Sequence, residues 1–350
     1  MRPLGLLGYL ERLGVEQPTG QSKLATQRVL VTGATGAIGP RVVEELAKTG
    51  CRIRCFSLDP AVQGLFPAGV EEVVGDLHDH SALDAAFDNV DAVVHMAALL
   101  HRMDRSPAWA ERCHRVNVAG TERVIDRCLK HNVRRLVLFS TIAVYGPTGT
   151  EPATEATPPA PDTPYAETKL MAERAVLSAV RSDGVGLGCV LRMAAVYGAR
   201  VKGNYRLLLQ ALSRRRHIPI GRGNNRRTLV YDRDAARAAV LALEHEAAAG
   251  VLFNVTDGRM HTMREILEAM CSALGRRPPR MFIPETFARQ MARLAEQAGR
   301  RLRPSMPPLE TMVAKYLENV VVDGSLIQKT LGFRPEYDLD AGWRETAVQL

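Results

Sequence analysis

From residue 28 onward, short apolar and β-branched runs alternate with longer stretches in which apolar positions recur every three or four residues. The runs are "RVLVTG" (28–33), "RIRCFS" (52–57), "EEVVGD" (71–76), "DAVVHMA" (91–97), "RLVLFST" (135–141), "LGCVLRM" (187–193) and "VLFNVT" (251–256). Between them lie helix-length segments such as "PRVVEELAKTG", "SALDAAFDN", "AGTERVIDRCLKHN" and "PYAETKLMAERAV". Strands that are apolar throughout are buried on both faces, and helices between them act as crossovers. The pattern predicts an α/β fold with a doubly wound parallel sheet. Ligands would bind beyond the carboxyl ends of its strands, where the strand order reverses.

The rhythm changes near residue 198. Residues 197–234 are rich in Gly, Arg and Asn, and 275–310 read as Pro-punctuated helix with little strand. The expected organisation is an N-terminal extension (1–26), a nucleotide-binding domain (27–197, with 251–256 returning to its sheet), and a smaller lobe for substrate (198–350). The Pro-rich stretch 147–164 reads as a long loop, either a lid or a plain connector.

Composition narrows the classes. With 350 residues, 46% apolar and 24% charged, the chain can bury a sizeable core. Charged residues interrupt every long apolar stretch, so no transmembrane segment is expected. Glu11 and Arg12 end the N-terminal apolar patch before a cleavage site could form. The six cysteines lack CxxC spacing, which argues against metal and disulfides and for a cytoplasmic setting. The net charge is +8, but the basic residues are scattered and aromatics are only 5%, which disfavours nucleic acid. Arg214–Arg216 and Arg226–Arg227 are the dense spots; the second pair is either solvated surface or a phosphate site.

Two stretches carry chemistry. In "VLVTGATGAIGPRVVEEL", Gly33, Gly36 and Gly39 join the first strand to the first helix, where residues without a Cβ permit a sharp turn close to a pyrophosphate at the helix N-terminus. The spacing is GxxGxxG, not GxGxxG. The second strand ends "CFSLDP", with Ser57, Asp59 and Arg54 leaving NAD and NADP both open. Asp76 and Leu77 end the third strand, where an adenine edge could be read; capping a helix is the alternative for Asp76.

The other stretch is "PYAETKLMAERAV". Tyr165 and Lys169 are four apart and share a helix face, in a chain with only seven lysines. A phenol is a poor base at neutral pH, and a neighbouring ammonium would favour its phenolate. Strand five ends in Ser140 and Thr141, whose hydroxyls are expected beside a reacting oxygen. Asn117 is a candidate for bracing the backbone behind this helix, and His95 and His101 read as structural.

Together, "TGATGAIG", "HMAA", "VNVAGT", "FSTIAVYG", "YAETK", "LRMAAVYG", "NRRTLVYDRDAARA", "FNVTDG" and "LGFRPEYDLDAGWRET" resemble the extended short-chain dehydrogenase/reductases of the NAD(P)-dependent epimerase/dehydratase branch. The resemblance spans nearly everything after residue 27 and implies a Rossmann-type fold, NAD or NADP as cofactor, and a homodimer formed through a helix bundle. It implies catalysis by Thr141, Tyr165 and Lys169, pyrophosphate at Gly33, Gly36 and Gly39, and adenine at Asp76. Thr35, Ala37, Ile38, Ser57, Leu77, Ala97 and Ala98 would complete the cofactor's surroundings. Asn204, Arg227 and Lys315 would meet the nucleotide of a nucleotide-sugar substrate.

Departures refine the expectation. Dehydratases of this branch carry an Asp–Glu pair after the catalytic Thr, where this chain has Ile142 and Ala143. Many 4-epimerases read "LRxxN" where Ala195 ends "LRMAA". The function expected is hydride transfer, at carbon four of a nucleotide-linked sugar, by a 4-epimerase or 4-keto reductase. A hydrophobic alcohol resembling a 3β-hydroxysteroid is the alternative, motivated by the stripe Phe282, Phe287, Met291 and Leu294. A non-catalytic NAD(P)-binding module is the third reading.

Overall fold

A computed structural model describes residues 22–100, 104, 106–302 and 309–349. Seven parallel strands form the main sheet: β1 (Arg28–Thr32), β2 (Arg52–Ser57), β3 (Glu71–Val74), β4 (Ala92–His95), β5 (Arg135–Thr141), β6 (Gly188–Met193) and β10 (Leu252–Val255). Their order is β10-β6-β5-β4-β1-β2-β3, so the winding reverses between β1 and β4. Thr32 is level with Phe56 on one side and His95 on the other, which aligns the strand ends along one rim.

Alternation along β1 sends Val29 and Val31 to one face and Leu30 to the other. The first face is covered by α1 (Gly39–Ala47) and α7 (Asp232–Glu244), through Val42, Val43, Leu46 and an alanine-rich stripe that lets α7 lie close. The opposite face receives α2 (His80–Ala86), α4 (Gly120–Lys130) and α5 (Pro164–Ser178), through Leu83, Val124, Cys128, Ala172 and Val176. Ahead of α4, α3 (Pro107–Cys113) runs through a π-helical turn at His114–Ala119, one wide turn in a continuous rod.

The lobe has its own core. Strands β7 (Ala195–Tyr197) and β9 (Leu229–Tyr231) pair, as do β8 (Arg226–Arg227) and β11 (His261–Thr262). Helices α6 (Asn204–Ser213), α8 (Met263–Ala273) and α12 (Leu339–Val348) close around Leu209, Ile266, Met270 and Trp343, with Tyr197 stacked on Trp343 at 4.4 Å. Helix α9 (Glu285–Leu302) packs on α10 (Leu309–Leu317), whose Tyr316 touches this core, and α11 (Ser325–Leu331) packs against β10.

Two expectations need correction. The extension expected at 1–26 is in part built into the core: residues 1–21 lie outside the described residues, but Leu24 is fully buried in the main core and Ser22 hydrogen-bonds to Glu244. Nor is 147–164 a free connector or a swinging lid. Ala153 N–H donates to Val321 O at 3.0 Å, Asp323 N–H to Ala153 O at 2.8 Å, and Asn254 N–H to Glu155 Oε1 at 2.8 Å. Backbone pairing with the segment before α11 holds it down.

Candidate active site

At the β1–α1 turn, Gly33 has φ +70°, and a Cβ there would stand 2.7 Å from Ala97 N. A Cβ at Gly39 would stand 2.0 Å from Ala34 O, so the helix can begin this close to the strand only at glycine. Ile38 gives α1 no side-chain cap and Pro40 has no N–H to satisfy. Arg41 N–H closes onto Ile38 O at 3.0 Å, so in the first turn the Gly39 amide is the one left for an anion, flanked by half-buried Thr35, Ala37 and Ile38 and by exposed Gly36. Across the mouth lie half-buried Ala97 and Ala98. These residues fit a dinucleotide pyrophosphate.

Around the adenosine end the roles shift. Ser57 is buried and its Oγ accepts from Thr35 N–H at 3.1 Å, so it braces the turn. Arg54 is also buried, bonded to Glu71 and to the carbonyls of Ala85, Ala86 and Asp88, which leaves it no reach to a 2′-phosphate. Asp79 caps α2, which removes that role from Asp76; the side chain of exposed Asp76 accepts from His78 N–H at 2.9 Å. Leu77 is buried against Gly120, so its side chain belongs to the core.

Helix α5 opens with Thr163 capping Ala166 N–H and Pro164 at its first position, which sets Tyr165 and Lys169 on one face. Thr141 ends β5, its Oγ1 accepting from Ala143 N–H at 3.2 Å, and it shares a hydrogen bond with the Tyr165 phenol. Burial pushes Tyr165 up to about 12 against that bond, with Cys113 and Glu173 adding to the rise. The expected acidification by Lys169 therefore does not prevail among the protein's own groups. Burial also brings Lys169 down to about 8, with Glu173 opposing, so its ammonium persists at neutral pH. Ser140 does not join Thr141: its neighbour on the strand faces the other way, and Ser140 is buried in a bond to Glu173.

That carboxylate was missed, although it stands one turn beyond Lys169 on the same face. Arg192 grips it with Nη2 at 2.7 Å and Nε at 3.1 Å, both side chains being buried, and lies 4.6 Å over the Tyr145 ring. Tyr145 in turn donates to Asn254 Oδ1 at 2.8 Å. The ion pair ties the floor of the site to β6, β10 and the pinned loop.

His95 is fully buried between Thr32 Oγ1 (2.6 Å) and Thr121 Oγ1 (3.0 Å). Because Thr121 donates to Asn117 O, the bond geometry assigns the proton to Nε2. Burial first and Lys169 second bring His95 down to about 3, so it stays neutral and structural. His101 lies outside the described residues. From the π-helical turn, Asn117 Oδ1 accepts from Leu99 N–H at 2.8 Å and Nδ2 donates to Thr168 Oγ1 at 3.1 Å, bracing the loop after β4 against α5.

The lobe brings the remaining candidates together. Arg227 donates to Lys315 O at 2.6 Å and lies 3.9 Å from Glu318; Lys315 Nζ pairs with Asp162 at 2.9 Å, three residues ahead of Tyr165. Tyr205, next to exposed Asn204, feels the Arg227 charge. Two cations and two carboxylates thus lie near the N-terminus of α5.

The pattern of the NAD dependent epimerase/dehydratase family matches residues 29–256. A UDP-glucose 4-epimerase of Vibrio cholerae is 27% identical over 94% of this chain and 97% of its own length. A 3 beta-hydroxysteroid dehydrogenase/Delta 5-->4-isomerase of Mycobacterium tuberculosis is 28% identical over 90% of this chain and 89% of its own. The crystal structure of Thermus thermophilus UDP-glucose 4-epimerase in complex with NAD superposes with a TM-score of 0.72 at 27% identity, covering 92% of this chain and 98% of that one.

Proposed function

Since the chain belongs to the NAD dependent epimerase/dehydratase family and is an NAD-dependent enzyme, we propose that it transfers hydride at carbon four of a nucleotide-linked sugar, as a 4-epimerase or 4-keto reductase. The observation that carries this reading is the Tyr165–Thr141 hydrogen bond, one helical turn from Lys169 and three residues after the Asp162 that pairs with Lys315.

The β1–α1 turn holds the pyrophosphate, and the commitment of Arg54 to Glu71 favours NAD over NADP. NAD held there would supply the hydride acceptor for a carbinol carbon and, in its reduced form, the donor for a ketone. Thr141 positions the sugar oxygen. Tyr165 takes its proton during oxidation and gives it back during reduction, and the upward bias of the phenol favours the giving step. Lys169 keeps a positive charge beneath both. On the substrate side, Arg227 and Lys315 exchange their carboxylate partners for the diphosphate, with Asn204 at the nucleotide.

The UDP-glucose 4-epimerase relatives support the sugar reading. The steroid-like alternative is supported by the Mycobacterium tuberculosis relative. The apolar stripe that motivated it, however, faces solvent: Phe287, Met291 and Leu294 are exposed.

The test is turnover of UDP- and dTDP-linked hexoses and 4-ketohexoses beside a 3β-hydroxysteroid, with mass spectrometry of any co-purifying nucleotide. Turnover of a nucleotide sugar that falls about a thousandfold in Tyr165→Phe, with NAD binding intact, is the expected outcome. Steroid turnover with no nucleotide-sugar turnover overturns it.

A further inference from the structure

Helix α9 is assembled the wrong way round for a helix whose only neighbour is its own protein. It turns Ala288 (8% exposed) and Ala292 (7%) inward, and presents Phe287 (55%), Met291 (48%) and Leu294 (53%) to solvent. These three, spaced i, i+4 and i+7, form one stripe. The stripe continues beyond the helix start into Met281 and Phe282, and Ile218 stands near them because Ile283 pairs with the Pro219–Gly221 backbone at 2.8 and 2.9 Å. Six large apolar side chains in one area exceed the scattered apolar residues of an ordinary surface.

The rim of this patch is basic. Arg222 lies 5.7 Å over the Phe282 ring and is itself exposed. Arg276 donates to Leu212 O at 3.1 Å, which draws exposed Arg277 and Arg280 toward exposed Arg214–Arg216 at the end of α6. From Arg276 to Arg293 the sequence carries five arginines against one glutamate. Arg289 and Arg293 pair with Glu285 and Glu310 at the surface, where such pairs are weak and yield readily to a stronger anion.

We propose that this face docks the protein on an anionic phospholipid surface. Phe287, Met291, Leu294, Met281 and Phe282 enter the boundary between headgroups and acyl chains, while the surrounding guanidinium groups meet lipid phosphates. Charge complementarity selects this occupant: a second copy would bring two basic rims together, and that repulsion opposes a self-paired contact. Among the described residues no helix is long and apolar enough to cross a membrane, so the mode is lying on the surface. The inference does not rest on the substrate proposed above, because the patch and Tyr165 occupy different elements.

The experiment is flotation of the full chain with vesicles of phosphatidylcholine alone, or of phosphatidylcholine with phosphatidylglycerol, at low and high salt. Expected is binding at least about tenfold tighter to the anionic vesicles and weakening with salt. The triple variant Phe287→Ser/Met291→Ser/Leu294→Ser should lose about 100-fold in this affinity while keeping its melting temperature and NAD binding. Arg277→Glu/Arg280→Glu, at exposed positions outside the stripe, should abolish the anionic preference by itself, and settles the matter should the triple variant fold poorly. Equal binding to both vesicles, or anionic binding untouched by the arginine reversals, overturns the proposal. So does a dimer in solution that the stripe variant converts to monomer without any vesicle binding, which would assign the face to a second copy.

Discussion

Around Lys169 the charges are buried and held by several partners, whereas the Lys315–Asp162 pair stands at the edge of solvent. Glu173 and Arg192 have 1% and 5% of their side chains exposed, and Ser140 shares the same carboxylate. Lys315 and Asp162 are 28% and 35% exposed and meet through one contact. A buried pair cannot release one member without stranding the other in a medium of low polarity, so it fixes geometry. A surface pair exchanges partners at little cost, so it suits groups that must hand a cation to an incoming diphosphate. On the proposed reading, the side that would hold the cofactor is thus set in place by folding, and the side that would meet the diphosphate is left exchangeable.

The sharpest challenge to this contrast is to neutralise one carboxylate on each side. Glu173→Gln should cost about 3–5 kcal/mol in urea unfolding, because Arg192 is left buried and unpaired. Asp162→Asn should cost less than about 1 kcal/mol. Equal losses would erase the distinction.

Gly33→Ala comes next. The positive φ costs about 1–3 kcal/mol, and the added methyl presses on Ala97. Calorimetry should therefore show NAD affinity falling at least about tenfold, with substrate-side contacts unaffected.

The pH dependence sharpens the comparison further. Lys169 loses its proton near 8, so turnover and NAD affinity should decline as pH rises through that value, and Lys169→Met should remove the limb. Stability should move the opposite way. The unfolded lysine still holds its proton up to its ordinary value of 10.5, so the unfolded chain binds more protons between about 8 and 10.5 and the folded state gains there.

Smallest is Lys315→Met. It should raise the KM for a nucleotide sugar several-fold while shifting stability by less than about 0.5 kcal/mol.

How much of this was legible in the sequence follows the range of each interaction. The sheet and its helices follow from local periodicity, and the glycine turn from residues within one turn of chain. Tyr165 and Lys169 were visible because a helix makes neighbours of positions four apart; by the same rule Glu173 was equally visible but was passed over. Ser140 was misjudged because two adjacent hydroxyls look equivalent in a string, while a pleated strand opposes them. Asp76 and Asp79 compete for one cap, and only backbone geometry assigned it to Asp79. The meeting of Arg227 with Lys315 joins residues 88 apart in the chain, which no local pattern encodes. The stripe on α9 was legible, but not that its alanine side would be the buried one.

The wide turn at His114–Ala119 amounts to one residue more than a regular helix needs. Deleting a single residue there would let the rod close into unbroken α-helix and regain its regular ladder with both ends nearly in place, yet would draw in the residues that the wide turn holds out. Asn117 would then lose either the loop after β4 or α5. At this codon triplet the gene faces a choice between a better helix and a working enzyme, and it has retained the surplus.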